Sequence, residues 1–323
     1  MTEVMAAIRR LSPRVLCVMG QNPGPYTLGG TNTYVVGTGP RRVLIDTGEG
    51  NLAYRQQLEK ALGEASCELG AKVSISTVVL THWHHDHVGG ISDVRTLFPS
   101  ATFLKKRSPL PQNDEKTIQL LGRIPDEPPP LVAVEGATLR IYHTPGHTPD
   151  HICLWMDEES ALFTGDTVLG GSSSIFSCFH EYMESLHALR SLQPLIVYPA
   201  HGPVATDATH YIDEYINHRQ RRERQILDAI AERQLTISEI VSRVYVETPN
   251  HLRVAASGNV LHHLKKLLIS ESVEATSGDA GALHFLTASN DYETSGEGVE
   301  GDKEMLMRVF RNVQWASRSV SRL

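Results

Sequence analysis

Short runs of apolar and β-branched residues recur along the first two thirds of the chain, and each stops abruptly in polar or glycine-containing sequence. Val15–Val18, Asn32–Val36, Arg42–Asp46, Thr77–Thr81, Ala101–Leu104, Thr138–Tyr142, Ile152–Trp155, Ala161–Thr164 and Leu195–Pro199 have the length and composition of strands. Asn22-Pro-Gly-Pro25 reads as a turn, and Gly37-Thr-Gly-Pro40 as a hairpin connection. Helical spacing marks residues 3–11, 51–66 (Leu52, Leu58, Leu62 inward), 91–97 and 181–192 (Tyr182, Leu186, Leu189, Leu192 inward). Residues 206–231 predict one long helix, with Thr206 as its N-cap. Residues 108–130, rich in Pro and acidic side chains, predict an exposed loop. Strands alternating with helices place the chain in the α/β class.

The texture changes after residue 205. Thr236–Tyr245 and Arg253–Leu268 predict two helices, with Ser272–Thr276 and Ala282–Leu286 as a β-wing around Ser277–Gly281. That order is winged-helix-like. From Thr287 onward acidic and small residues dominate, which predicts disorder ending in a frayed helix over Met305–Val313. The expected division is therefore 1–205, 206–286 and 287–323.

The strand at Thr77–Thr81 runs straight into His82-Trp-His84-His-Asp86-His87 and closes on Gly89-Gly90. Alternate positions project the same way while the chain is extended, and the turn brings Asp86 and His87 round. Four ligand-type side chains in six positions make a metal site, and this donor mixture suits zinc, manganese or iron rather than copper(I) or calcium. His147, Asp166 and His201 each follow a further apolar run. Asp46 ends another and either orients a ligand loop or caps a turn. His151 is a candidate for supporting the ligands or touching substrate, or it serves loop backbone. His143 also flanks His147, and His85 is expected to face solvent. Cys17, Cys67, Cys153 and Cys178 form no C-x-x-C pair, and no Gly-x-Ser-x-Gly motif is present, so a serine or cysteine nucleophile is disfavoured.

These motifs, in this order, resemble the metallo-β-lactamase superfamily. The resemblance implies an αβ/βα sandwich and two zinc ions per chain. His82, His84 and His147 would hold one, Asp86, His87 and His201 the other, and Asp166 would bridge them. It also implies that hydroxide between the metals is the nucleophile, with Asp86 and Asp166 as the catalytic carboxylates. Only 35 residues separate Asp166 from His201, too few for the domain that β-CASP nucleases insert there. Asn22–Tyr34, Leu44–Glu49, Pro199–Pro203 and Asp213–Arg219 are similar to one branch in particular, endoribonucleases of single-stranded RNA in the mitochondrial matrix. That likeness spans roughly residues 5–270. The chain departs from it at His85, where the branch carries Arg, and at Ser177-Cys178, where it carries an acidic pair.

Charge refines the substrate expectation. A net charge of −7 argues against binding of polyanions by the chain as a whole. Arg219, Arg221, Arg222 and Arg224 nonetheless cluster after His201, either as a solvated face or as a grip on RNA phosphates. His262, His263, Lys265 and Lys266 are expected to add positive charge to the second winged-helix helix. The alternative substrate class is a thioester such as S-acyl glutathione, a lactone or a β-lactam on the same dinuclear site. No apolar run reaches the ~18 residues of a membrane span. The expected compartment is the mitochondrial matrix by resemblance, or the cytosol, and the expected state a monomer or homodimer.

Overall fold

A computed structural model describes residues 6–107, 122–123, 130–249, 253–282, 284 and 300–318. The chain divides into two compact units, residues 1–176 with 184–213, and residues 177–183 with 214–323.

The first unit is built on two sheets. One has seven strands in chain order: β1 (Ile8–Arg10), β2 (Val15–Met19), β3 (Asn32–Val36), β4 (Arg41–Ile45), β5 (Ser74–Leu80), β6 (Thr102–Lys105) and β7 (Gly122–Arg123). Pairing is antiparallel from β1 to β4 and parallel from β4 to β7. The other sheet has the order β12-β11-β10-β9-β8, from β8 (Leu131–Val134), β9 (Ala137–His143), β10 (Ile152–Met156), β11 (Ala161–Gly165) and β12 (Ile196–Pro199). Alternate residues of the two sheets share one core, with Cys17, Tyr34, Val43 and Val79 against Leu139, Ile152, Leu154 and Phe163. The opposite face of the first sheet, through Leu16, Val35, Leu44 and Val78, packs on helix α1 (Leu52–Leu69) and on Ile91 and Val94. Two sheets sharing a core, with helices packed on the outer face of the first, give the αβ/βα sandwich that the resemblance implied.

Short helices α2 (His85–Val88) and α3 (Ile91–Leu97) follow β5. Helices α4 (Phe179–Ser191) and α5 (Ala208–Ala229) each lend residues to both units. The unit division falls inside α5 rather than before it.

The second unit contains α6 (Ile237–Val244), α7 (Arg253–Ile269), α8 (Glu300–Asn312) and a three-stranded sheet. Its strands are β13 (Leu235–Thr236), β14 (Val273–Thr276) and β15 (Gln314–Ser317), in the order β13-β15-β14. Thr236 caps α6 in a reciprocal capping box with Glu239. Ile226, Ile240, Val260, Leu264, Phe310 and Trp315 form its core.

Four sequence expectations are corrected. Residues 8–10 form an edge strand against β2, not part of a helix; Arg9 sits opposite Cys17 in that register, and its side chain reaches Cys17 Sγ and Asn32 Oδ1 at 3.1 and 3.0 Å. The long helix opens at Ala208, with Asp207 O taking the Tyr211 N–H, so Thr206 is not its cap. Ala280–Ala282 are helical, and the partner of β14 is β15 rather than a strand at 282–286. Residues 300–317, expected to be disordered apart from a frayed helix, supply α8 and β15, because Val309, Phe310, Val313 and Trp315 bury in the unit's core. Residues 285–299 lie outside the described residues, as does most of the 108–130 loop, within which Gly122–Arg123 pair with β6. Strand β8 has no counterpart in the sequence reading. Among the described residues no helix is long and apolar enough to cross a membrane.

Candidate metal centre

The C-terminal ends of the parallel pairs β4/β5 and β11/β12 deliver polar side chains to one edge of the sandwich. Backbone bonds tie the two sheets together there: Ile152 N donates to Thr81 O at 2.9 Å, and Asn32 N to Ala200 O at 2.6 Å. His82, His84, Asp86 and His87 follow β5, His147 lies between β9 and β10, Asp166 follows β11, and His201 follows β12. The structure brings all seven together in two groups, His82/His84/His147/Asp166 and Asp86/His87/His201, the ligand atoms of each within 4.8 Å of one another.

In the first group His84 Nδ1 lies 2.9 Å from His82 Nε2 and 3.1 Å from His147 Nε2. Burial, then neighbouring imidazoles, holds His82 well below its ordinary pKa and His84 down to about 3. His147 is lowered by burial too. Three neutral imidazoles with converging nitrogens are the protonation state a cation requires. Two of their outer nitrogens are held: His82 Nδ1 faces Thr81 Oγ1 at 3.0 Å, and His147 Nδ1 donates to Ile175 O at 2.7 Å.

In the second group Asp86 Oδ2 lies 3.2 Å from His87 Nε2 and 3.3 Å from His201 Nε2. Burial alone would lower both histidines. For His87 the carboxylates of Asp86, Asp46 and Asp166 outweigh it and raise the pKa well above the usual value. For His201, Asp166 and Asp86 raise it to about 9. Burial would raise Asp86 and Asp166, but His87 and His201 hold both carboxyls below the usual carboxylate range. A cation among these groups takes the place that protons otherwise fill.

Asp166 joins the groups. Its Oδ2 is 3.5 Å from His147 Nε2, while its Oδ1 is 3.2 Å from His201 Nε2 and 3.5 Å from His87 Nε2. His87 Nε2 and Asp166 Oδ1 are buried with no hydrogen-bond partner among the described residues. Such atoms are costly unless something satisfies them, and the donor set fits divalent cations.

The supporting residues explain how the ligands stay aimed. Asp46, buried and at φ 61°, accepts from Thr81 N and Thr81 Oγ1 at 2.8 and 2.9 Å, and its Oδ2 accepts the His87 Nδ1 proton at 2.8 Å. His151 is fully buried; its Nε2 accepts from Asp166 N at 3.1 Å, and its Nδ1 lies 2.9 Å from Thr144 Oγ1. Only glycine fits at 165 (φ +47°), since a Cβ there would meet His151 Nε2 at 2.5 Å. A buried Lys105–Asp150 ion pair, joined by Thr148 Oγ1 at 2.7 Å from Asp150 Oδ1, braces the His147 loop. The Asp166 and His201 loops meet as bare backbone: Gly170 N donates to His201 O at 2.8 Å, and a Cβ on Gly202 would lie 1.9 Å from Gly170 O.

Sequence reasoning missed Thr31, whose hydroxyl reaches Asp86, and Ile175, whose carbonyl holds His147. His85 is exposed, and His143 Nε2 bonds Pro149 O at 2.8 Å. Cys178 is half-buried.

The basic segment disperses. Arg219 is buried with its guanidinium 5.8 Å from the Tyr182 ring centroid. Arg222 stacks 4.0 Å over Tyr245 and donates to Val244 O at 3.0 Å, while Arg221 and Arg224 are exposed. The expected positive face of α7 is corrected: His262 and His263 are buried with lowered pKa values, desolvation being the main cause, and Lys266 Nζ pairs with Glu223 at 2.6 Å.

The metallo-beta-lactamase superfamily model matches residues 26–201, the stretch that carries all seven ligands. The chain belongs to this superfamily. A beta-lactamase-associated winged helix domain matches residues 236–280. The chain is 40% identical to a beta-lactamase-like protein 2 homolog of Caenorhabditis elegans, over 83% of this chain and 88% of that protein. It is 43% identical to an atrochrysone carboxyl ACP thioesterase of Aspergillus fumigatus, over 68% of this chain and 66% of that one. A beta-lactamase domain protein from Burkholderia ambifaria shares the fold, with a TM-score of 0.68 at 20% identity over 86% of this chain and 93% of its own.

Proposed function

We propose that this metallo-beta-lactamase hydrolase is an endoribonuclease that cleaves phosphodiester bonds of single-stranded RNA with two zinc ions. The observation that carries the reading is Asp166, whose two oxygens face different ligand groups, so that two cations would flank one reacting phosphate. His82, His84 and His147 would hold one, Asp86, His87 and His201 the other, and Asp166 both. When bound, such cations lower the pKa of water towards ~7 and neutralise charge on the oxygens around phosphorus. The protein's own part is to hold and aim these groups. His87 is locked by Asp46 and His147 by Ile175 O, so neither ring turns away as charge develops. Asp86 and Asp166 are the carboxylates that orient the attacking oxygen, and the Asp86 side chain, 21% exposed against 12% for Asp166, is the more accessible of the two. Arg221 and Arg224 are the exposed arginines suited to the RNA backbone. The resemblance to the matrix endoribonucleases supports the substrate class and extends the proposal to that compartment.

A second reading, thioester hydrolysis, is favoured by the ACP thioesterase relatives. Zinc-loaded protein offered single-stranded RNA beside a panel of acyl thioesters separates the two. The expected outcome is RNA cleavage, lost in Asp86→Ala and in His201→Ala. Brisk thioester turnover with the RNA intact would overturn the ribonuclease reading.

A further inference from the structure

Thr31 lies between β2 and β3 and is fully buried. Its hydroxyl is 2.9 Å from Asp86 Oδ2. The direction of the proton follows from the neighbours. Thr31 N donates to Asn22 Oδ1 at 2.9 Å, which settles which end of the amide is oxygen. Asn22 Nδ2 then donates to Thr31 Oγ1 at 3.0 Å. With a donor arriving on one lone pair, the single hydroxyl proton points at Asp86. The oxygen it holds is the one that faces His87 and His201.

The backbone of the same residue reaches a second ligand. Thr31 forms an isolated antiparallel bridge with His201. Asn32 extends this contact, its Nδ2 donating to Pro199 O at 3.0 Å and Gly202 O at 2.9 Å. Thus two of the three residues in the Asp86/His87/His201 group are braced from one point. None of the bonds of Thr31 among the described residues reaches His82, His84 or His147.

We propose that Thr31, held by Asn22, is a positioning residue for Asp86 that governs the cation affinity of the Asp86/His87/His201 group; this rests on the two-cation reading of the centre. A carboxylate oxygen offers two lone-pair directions. The hydroxyl occupies one and leaves the other turned towards the two imidazole nitrogens. Without it the carboxylate must be ordered by the cation itself, and loss of such a supporting bond costs about 10–100-fold in metal affinity.

Cobalt(II) titration of the metal-free full-length chain, followed by d–d absorption, tests this. The wild type is expected to take up two equivalents. Thr31→Val should bind one equivalent as the wild type does and the other about 10-fold or more weakly, whichever step fills the Asp86/His87/His201 group. Thr31→Ser, which keeps the hydroxyl, should restore the weakened step. The proposal is overturned by a Val variant with unchanged affinities, with both steps weakened alike, or with either step tightened. It is equally overturned if Ser behaves as Val does. Uptake of a single equivalent by the wild type would remove the two-cation reading, and this one with it.

Discussion

In the first unit His82, His87, His147, His201 and Asp166 are buried, and each turns a nitrogen or oxygen into one of two ligand groups, Asp166 into both. In the second unit His262, His263 and Arg219 are buried just as completely, yet among the described residues they belong to no group of converging ligand atoms. His263 packs on Phe179 at 4.1 Å and approaches Glu223, whose carboxylate Lys266 also takes. Arg219 spends its charge on a tyrosine face. Burial and charge therefore fail to distinguish a reactive centre from a packed interior. The convergence of the inward atoms does distinguish them: only in the first unit do several ligand-type atoms come within 4.8 Å of one another among the described residues.

The comparison can be broken most severely at Asp166. Asp166→Ala removes the one carboxylate common to both ligand groups, so hydrolysis should fall on the order of 10³-fold, as several kcal/mol of charge stabilisation is lost. Bound metal, read by elemental analysis, should drop in parallel. Retention of both cations would refute the bridge. In the second unit the corresponding blow is to packing. Trp315→Ala should cost about 3–5 kcal/mol, seen as an earlier midpoint in urea, with cation affinity unchanged.

A smaller effect comes from His262. Burial, then Lys265 and His263, pushes its pKa down to about 3, whereas the unfolded chain takes up the proton near 6.5. Between those values the unfolded state binds more protons. The stability contribution is therefore complete above pH 6.5 and is lost as pH falls towards 3, by about 1.4 kcal/mol per unit. Urea midpoints at pH 7, 6 and 5 should fall at least that steeply, because buried His82 and His84 add to the slope, and His262→Gln should lessen it by the share of His262. Smallest of all is the pair Arg221→Glu and Arg224→Glu, which should weaken RNA binding severalfold at low salt and much less at high salt. An effect independent of salt would exclude a phosphate contact.

The ligands were legible because cation chemistry demands particular side chains and strand ends bring them to one edge. The residues that aim them were mostly not. Asp46 and His151 announced themselves as ionisable groups beside the motifs, but Thr31 is one hydroxyl among many, and Ile175 contributes only a carbonyl that no side-chain pattern records. The misreading of α7 has a different cause. His262, His263 and Lys266 look basic in one dimension, and whether they carry usable charge depends on the helix face. Val260, Leu264 and Leu267 mark that face as interior. Residues 300–317 were hidden by the acidic stretch before them, although Val309, Phe310, Val313 and Trp315 had the spacing of a buried face. At the other end, three residues pair with the edge of β2, and a run this short makes a helix too weak to compete with that pairing.

One detail bears on how the centre is filled. Because Gly170 and Gly202 touch with no side chain between them, the loops behind Asp166 and His201 have no rotamer that could take up a displacement. Any shift of one is handed whole to the other. The backbone behind these two side chains is fixed by the fold itself, and a cation entering between them would meet a frame that needs no movement of those loops.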